Sequence, residues 1–441
     1  YDFSNATDPA YPPNGYPWQD GFGIDLLLLH KNNKELEASN TNSSNNNEHA
    51  PSSLLHEVWL DKIQDMAIKS KHNESLGVEL LYVIQNNGTL YGLNNQLTHH
   101  EVANYRGRYF QEMVVHALQL AKQHAHRSVR LKRFLELQQQ QQHFAIPFIL
   151  VWGDGCSCVG GGDKNIYPRM AFCRLRDASH EPCHVFAVPG YDSWTRAIDG
   201  TRADMAARTA RYDEEYPWSN KLRRVVWRGS STGPRVKHWH DLPRAKMVQW
   251  AANSNNTHAD IRFTNIIDDG LEMKEEMKEQ QKEEMKEQLG IAERIEMKDM
   301  MKYIGIVDID GNAWSERYPA LLCYNSVVLK VQTDLVEYIS ASSEVSPWVH
   351  YVPIKDDLSN LEEAIEWVME QPQERLETMA SAARDWCITK STKHDLAVDM
   401  LWILVSYFEL LRDDVLLKQT TTTTTTTTTH HSVFMGAANF F

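Results

Sequence analysis

A chain of 441 residues, 42% of them hydrophobic, has material for two or three domains with sizeable cores. Its 59 acidic residues outweigh 45 basic ones, for a net charge of −14. That balance excludes an extended nucleic-acid-binding surface as the main role and leaves room only for a local basic pocket that takes one nucleotide.

Residues 1–53 are rich in Asn, Ser and Pro; SNTNSSNNNEHAPSS at 39–53 reads as a disordered linker, and IDLLLL at 24–29 as a short docking strand. A lead-in over 54–143 follows. It holds a helical run at 54–70, a hairpin pattern in VELLYVIQNNGTLYGL at 78–93, and a long helix over 101–142 ending in five Gln. FAIPFILVW at 144–152 then opens a first αβ region, which continues through FCRL and HVFAVP to residue 222. RRVVWRG at 223–229 opens a second, running to residue 373. Inside it, MKEEMKEQQKEEMKEQ at 273–288 carries charges of alternating sign at i,i+3 and i,i+4 spacing, the pattern of a solvated helix. Ile304 to Ile309 is apolar and β-branched, as a buried parallel strand is, and Gly311-Asn312 breaks it. A helix is expected from Ser315, with Arg317 in its first turn; free backbone N–H groups, the helix dipole and a guanidinium would then meet where a phosphate could bind. Ser359 and Glu362 match a capping box before a further helix. Residues 374–418 read as helices that cross back onto the first half, and 419–441, with its Thr run, as a low-complexity tail.

No segment has the ~20 apolar residues of a membrane span; in the most apolar helix only Met400 to Phe408 is free of charge. The chain begins at Tyr1, so a signal peptide or membrane anchor would lie outside it. Cys156, Cys158, Cys173 and Cys183 cluster as a local disulfide would require, while Cys323 and Cys387 read as buried thiols. N-x-S/T sequons stand at Asn5, Asn42, Asn73, Asn87 and Asn255 and permit secretory glycosylation.

Several strings, taken together and in order, resemble glycosyltransferase family 90, which holds protein O-glucosyltransferases, O-xylosyltransferases and capsule-associated xylosyltransferases. They are VVWRGSSTG at 225–233, DGNAWSER at 310–317, NSVVLK at 325–330 and PWVHYVPIKDDLSNL at 347–361, with PRMAFCR at 168–174 and VPGYDSW at 188–194 upstream. The resemblance covers roughly residues 144 to 386.

It implies an α/β, GT-B-like fold, two Rossmann-like domains facing a cleft with C-terminal helices. It also implies an inverting, metal-independent transfer of glucose or xylose from a UDP-sugar co-substrate to a hydroxyl of a protein or glycan, in the ER or Golgi lumen. Asp154, directly after the first buried strand, matches the family's catalytic base, although Gly155-Cys156 replaces the aromatic-Pro pair that follows it there; read alone, Asp154-Gly155 is also an ordinary turn. Ser230, Ser231, Thr232, Gly233, Pro234 and Arg235 match one nucleotide-sugar loop, and Asn312, Ala313, Trp314, Ser315 and Arg317 the other. Where the glucosyltransferases place a basic residue two positions after the proline, Val236 stands here, flanked by Arg235 and Lys237. Trp194 matches a position near the acceptor cleft, where it could stack on a sugar or peptide, although a lone aromatic is more often core. Arg228, in the strand that leads into the 230–235 loop, fits a site residue and a structural ion pair equally well. Asp308-Ile309-Asp310 has the form of a metal-binding D-x-D but coincides with the family's own D-G-N turn, and the Cys and His residues at 156–184 lack the common zinc spacing. The alternative to an enzyme is a catalytically inactive nucleotide-sugar-binding or interaction protein of the same fold.

Overall fold

The computed structural model describes residues 79–84, 90–92, 101–140, 146–151, 169–175, 185–267, 270–341 and 344–421. Asp154, Cys156, Cys158, Cys183, the segments at 24–29, 39–53 and 54–70, and the tail beyond 421 lie outside them.

The first half is a five-stranded sheet in the order β2-β1-β3-β4-β6. Its strands are β1 (Glu79–Ile84), β2 (Leu90–Gly92), β3 (Ile146–Val151), β4 (Arg169–Ala171) and β6 (Val185–Ala187). β3, β4 and β6 run parallel, as the Rossmann expectation requires. The hairpin differs from its reading as a lead-in: β1 pairs antiparallel with β3 over its whole length, so it covers that strand's edge and makes the sheet mixed. FCRL forms β5 (Cys173–Leu175), which leaves this sheet and pairs antiparallel with β11 (Leu335–Glu337) of the second half.

The second half is an all-parallel sheet, β12-β10-β9-β7-β8, built from β7 (Leu222–Ser230), β8 (Ala259–Asn265), β9 (Tyr303–Asp308), β10 (Val327–Val331) and β12 (Val352–Ile354). The central strands carry continuous apolar runs because both faces are covered. Val225, Trp227, Val307 and Leu329 face one core, while Val226, Ile306 and Val328 face the other. Gly305 sits where a Cβ would lie 2.7 Å from Val225 Cγ1 and 2.9 Å from Leu329 Cδ1, so the packing of three strands requires a glycine there.

The long helix expected over 101–142 is two helices, α1 (Glu101–His124) and α2 (Val129–Gln140), broken where Ser128 turns extended. In chain order follow α3 (Tyr191–Arg196), α4 (Arg202–Glu215), α5 (Pro243–Asn253), the charged α6 (Glu275–Leu289), α7 (Tyr318–Leu321), α8 (Tyr338–Ala341), α9 (Leu361–Glu370), α10 (Gln373–Lys390) and α11 (Lys393–Thr421). α6 carries the expected i,i+3 bridges, Glu275–Lys278, Glu279–Lys282 and Glu283–Lys286, and buries Met285.

The C-terminal helices cross back. α10 gives Leu376 and Met379 to one face of the second sheet and Ala383, Trp386 and Cys387 to the other. α11 then packs Leu396, Met400, Leu401 and Leu404 into the first half's core against Phe110, Met113 and Val114 of α1. Two α/β halves joined by β5–β11 and a returning helix make the GT-B-like architecture. Among the described residues no helix is long and apolar enough to cross a membrane.

Cys323 and Cys387, read as thiols, form a disulfide; their separation of 64 residues put the partnership beyond local sequence. Cys173 is also disulfide-bonded. The capping box at Ser359–Glu362 does not form. Leu358 takes a positive φ of 61°, Asp357 accepts the Ser359 amide, and α9 starts after Asn360 without a side-chain cap.

Candidate functional site

Two loops leave the carboxyl ends of neighbouring strands in the second sheet, the place where parallel αβ sheets gather ligands. One follows β7 (residues 231–237) and the other follows β9 (residues 309–317). They touch directly: the Gly233 amide donates to Asn312 Oδ1 at 3.1 Å. A Cβ on Gly311 would lie 2.9 Å from Thr232 Oγ1 and 3.1 Å from Arg244 Nη2, so only a glycine admits this approach.

Arg244, in the first turn of α5, is buried between the loops. Its Nε donates to the Asp310 carbonyl (2.9 Å), Nη2 to the Ile309 carbonyl (3.0 Å), and Nη1 to the Ser230 carbonyl (3.1 Å) and the Thr232 hydroxyl. Burial, and after it the neighbouring Arg317, push its guanidinium down to about 9, against the pull of Asp308 and Asp310. The sequence reading missed it. The available signal was a cation in a helix's first turn, where the dipole favours acids, so that something outside the helix must hold it.

Arg317 lies at the N-cap of α7, with Nη1 on the Arg228 carbonyl at 2.7 Å. Burial lowers its pKa, Asp308 opposes that shift, and Arg196 adds to it. Arg244 and Arg317 both lie over the Trp227 ring, at 5.6 and 5.9 Å from its centroid. Arg317 Nη2 and Trp227 Nε1 are buried and meet no acceptor among the described residues. Two orphaned N–H donors beside two guanidinium groups fit an anionic ligand that carries several oxygens.

The helix-dipole part of the expectation fails: α7 begins at Tyr318, not Ser315, and has four residues. Ser315 instead holds the turn, its amide donating to Asp310 Oδ1 (2.9 Å) and its hydroxyl to Asp308 Oδ1 (2.5 Å). Both carboxylates are bound by Lys330 Nζ, at 2.8 Å for Asp308 and 3.0 Å for Asp310, and Thr333 donates to Asp310 Oδ2. Burial alone would lower Lys330, but Asp308, Asp310 and Glu337 hold it well above its ordinary value. Burial likewise would raise Asp308, yet Lys330 and Arg317 hold it below the ordinary carboxylate range.

Ser231 is spent on structure, its hydroxyl donating to the Ile267 carbonyl and accepting from the Ile267 amide, each at 2.7 Å. Ala313 and Trp314 are buried in the first half's core, Trp314 lying 5.7 Å from Phe172. Trp194 is corrected from the acceptor cleft to the core. It is fully buried, with Nε1 donating to Glu112 at 3.2 Å, His116 packed edge-on and Lys393 over its ring, so no face is open to a sugar. Arg228 makes the structural pair, Nη2 to Asp260 Oδ1 at 2.8 Å. Of the expected set, Ser230, Thr232 and Arg317 are half-buried, Pro234, Arg235 and Asn312 are exposed, and Gly233 is buried with its amide on Asn312.

The first half reaches this site at the segment after β6: a Cβ on Gly190 would lie 2.7 Å from a Glu316 carboxylate oxygen.

The family described as "Glycosyl transferase family 90" matches residues 163–435, more than half of the chain. Protein O-glucosyltransferase 3 of Homo sapiens is 31% identical over 216 residues, 48% of this chain and 36% of that protein. Protein O-glucosyltransferase 2 of Danio rerio is 27% identical over 230 residues, 52% and 40%. An uncharacterized protein, 035R, of Invertebrate iridescent virus 3 is 26% identical over 184 residues, 41% and 16%. The chain thus spans well under half the length of these curated relatives. Among solved structures, Anabaena HepE in complex with UDP-glucose aligns at 12% identity and a TM-score of 0.29, over 48% of this chain and 56% of that one, a level that bears on nothing further.

Proposed function

This chain belongs to glycosyl transferase family 90, and we propose that it transfers a sugar from a UDP-sugar to a hydroxyl group of a protein. The carrying observation is the pair of loops after β7 and β9, with Arg317 Nη2 and Trp227 Nε1 as buried donors that meet no acceptor among the described residues. Glucose is the preferred sugar, since similar chains are named protein O-glucosyltransferases; xylose is the competitor to exclude.

In this reading Arg317 binds the diphosphate, and its charge counts for more as the leaving oxygen becomes negative. The Gly233 backbone, Thr232 and Asn312 frame the nucleotide, with Arg235 at the exposed rim. The acceptor oxygen attacks the sugar's anomeric carbon from the face opposite the diphosphate. Its proton passes to the Asp154 carboxylate, the bond to the β-phosphate oxygen breaks, and the configuration inverts. Asp154 stands three residues after β3 in the sequence. Metal independence is part of the proposal: Lys330, Ser315 and Thr333 already engage Asp308 and Asp310, and Arg317 supplies charge that a cation would otherwise bring. The Cys323–Cys387 disulfide and the sequons suit the ER or Golgi lumen.

The test is UDP release with a panel of UDP-sugars, with and without a folded protein acceptor, in EDTA. Acceptor-dependent release from UDP-glucose above UDP-xylose is expected. Asp154→Asn should bind UDP within a few-fold of wild type and transfer roughly 100-fold more slowly or worse. Tight UDP binding with no transfer to any acceptor would favour the inactive binding protein, and a rate abolished by EDTA would exclude the metal-free mechanism.

A further inference from the structure

We propose that Arg244 is a positioning residue for the donor: it holds the loop after β7 and the turn after β9 at the one spacing where that loop and Arg317 can engage a diphosphate together. The inference rests on the donor reading above and adds a residue that the motif strings do not contain.

Its geometry is that of a cross-brace. A planar guanidinium carries five N–H donors in a fixed fork. In Arg244 they span the gap, taking the Ser230 carbonyl and Thr232 hydroxyl on one loop and the Ile309 and Asp310 carbonyls on the other. Ser230 is the last residue of β7, Thr232 stands two residues beyond it, and Ile309 and Asp310 directly follow β9, so the brace acts where the chain leaves the rigid sheet. Gly311 leaves no room for a side chain between Thr232 and Arg244, and the Gly233–Asn312 bond closes the same contact from its outer side. Arg244 and Arg317 lie over one indole, so a shift of either guanidinium displaces the surface that positions the other. Arg244 has no role in its own helix, whose N-terminus disfavours a cation. Lysine could keep the charge, but a single ammonium cannot reach four acceptors spread over two loops.

The experiment is calorimetric titration of UDP into wild type, Arg244→Lys, Thr232→Val and the double variant, with the melting temperature of each unliganded protein. Arg244→Lys should raise the UDP Kd roughly tenfold, and Thr232→Val a few-fold, in protein that remains folded. The double variant should bind no worse than Arg244→Lys alone, because both changes cut the same brace. A merely structural arginine would lower the melting temperature and leave the UDP Kd of the folded fraction unchanged, and that result overturns the inference. So do effects that add in the double variant, which would mean that Thr232 meets UDP independently of Arg244. Should Arg244→Lys fail to fold, Thr232→Val and Gly311→Ala carry the test; both are expected to weaken UDP, and an unchanged Kd in both overturns the proposal. A wild type that does not bind UDP overturns the donor reading itself, and the inference with it.

Discussion

At the scale of single residues, the second half turns on one buried cation. Lys330 stands in a central strand that is otherwise apolar, and its ammonium holds two carboxylates that end the next strand. Replacing it with Met would take from buried Asp308 the cation hydrogen-bonded to it, a loss of roughly 3–5 kcal/mol; Lys330→Met should therefore melt far below wild type or fail to fold, and an unchanged melting temperature would show that the pair is not needed. The same pair fixes a pH dependence. The Asp308 carboxyl is held below its unfolded value, so its contribution to stability is fully present above about pH 4 and is lost as pH falls through the folded value. Acid titration of unfolding should show stability declining below about pH 4, with that limb weakened in Asp308→Asn; a limb of the same slope in the variant would assign it to other carboxylates. Arg317 was legible because it closes a motif string. Arg244 was not, since its partners are four groups on two loops that only folding brings together.

At the scale of elements, strands were the most legible, their apolar runs marking β3, β7, β9 and β10 to within two residues at either end. Two short-range rules misplaced helix starts. Ser315 resembles a helix start, but Asp308 and Asp310 take its hydroxyl and amide, and the helix begins three residues later. Ser359 and Glu362 have capping-box spacing, yet Asp357 claims the Ser359 amide first. The cap that opens α11 is Thr392 with Asp395: the Asp395 amide donates to Thr392 Oγ1 at 3.0 Å, the hydroxyl donates to Asp395 Oδ2 at 2.6 Å, and Arg202 reaches Asp395 at 2.8 Å. Thr392→Ala should cost about 1–2 kcal/mol of stability, read by denaturant unfolding; no change would mean that packing alone starts α11.

At the scale of the whole molecule, a short ladder, an aromatic contact and a returning helix join the two halves. β5 pairs with β11, Trp314 of the turn after β9 sits in the first half's core, and α11 fills that core against α1. That turn thus belongs to both halves, which explains why residues read as ligands, Ala313 and Trp314, are interior. The two-half architecture could be read from two buried opening strands. The sheet membership of β1 and β5 could not, because pairing between distant segments leaves no periodic trace.

The central claim is that the loops after β7 and β9 bind a uridine diphosphate through Arg317. Its most direct test is calorimetric titration of UDP into wild type and Arg317→Ala. Wild type should bind UDP, and the variant should bind it roughly tenfold or more weakly, in keeping with the loss of a charge-assisted hydrogen bond. Equal affinity in the two proteins, or no binding by wild type, would contradict the account.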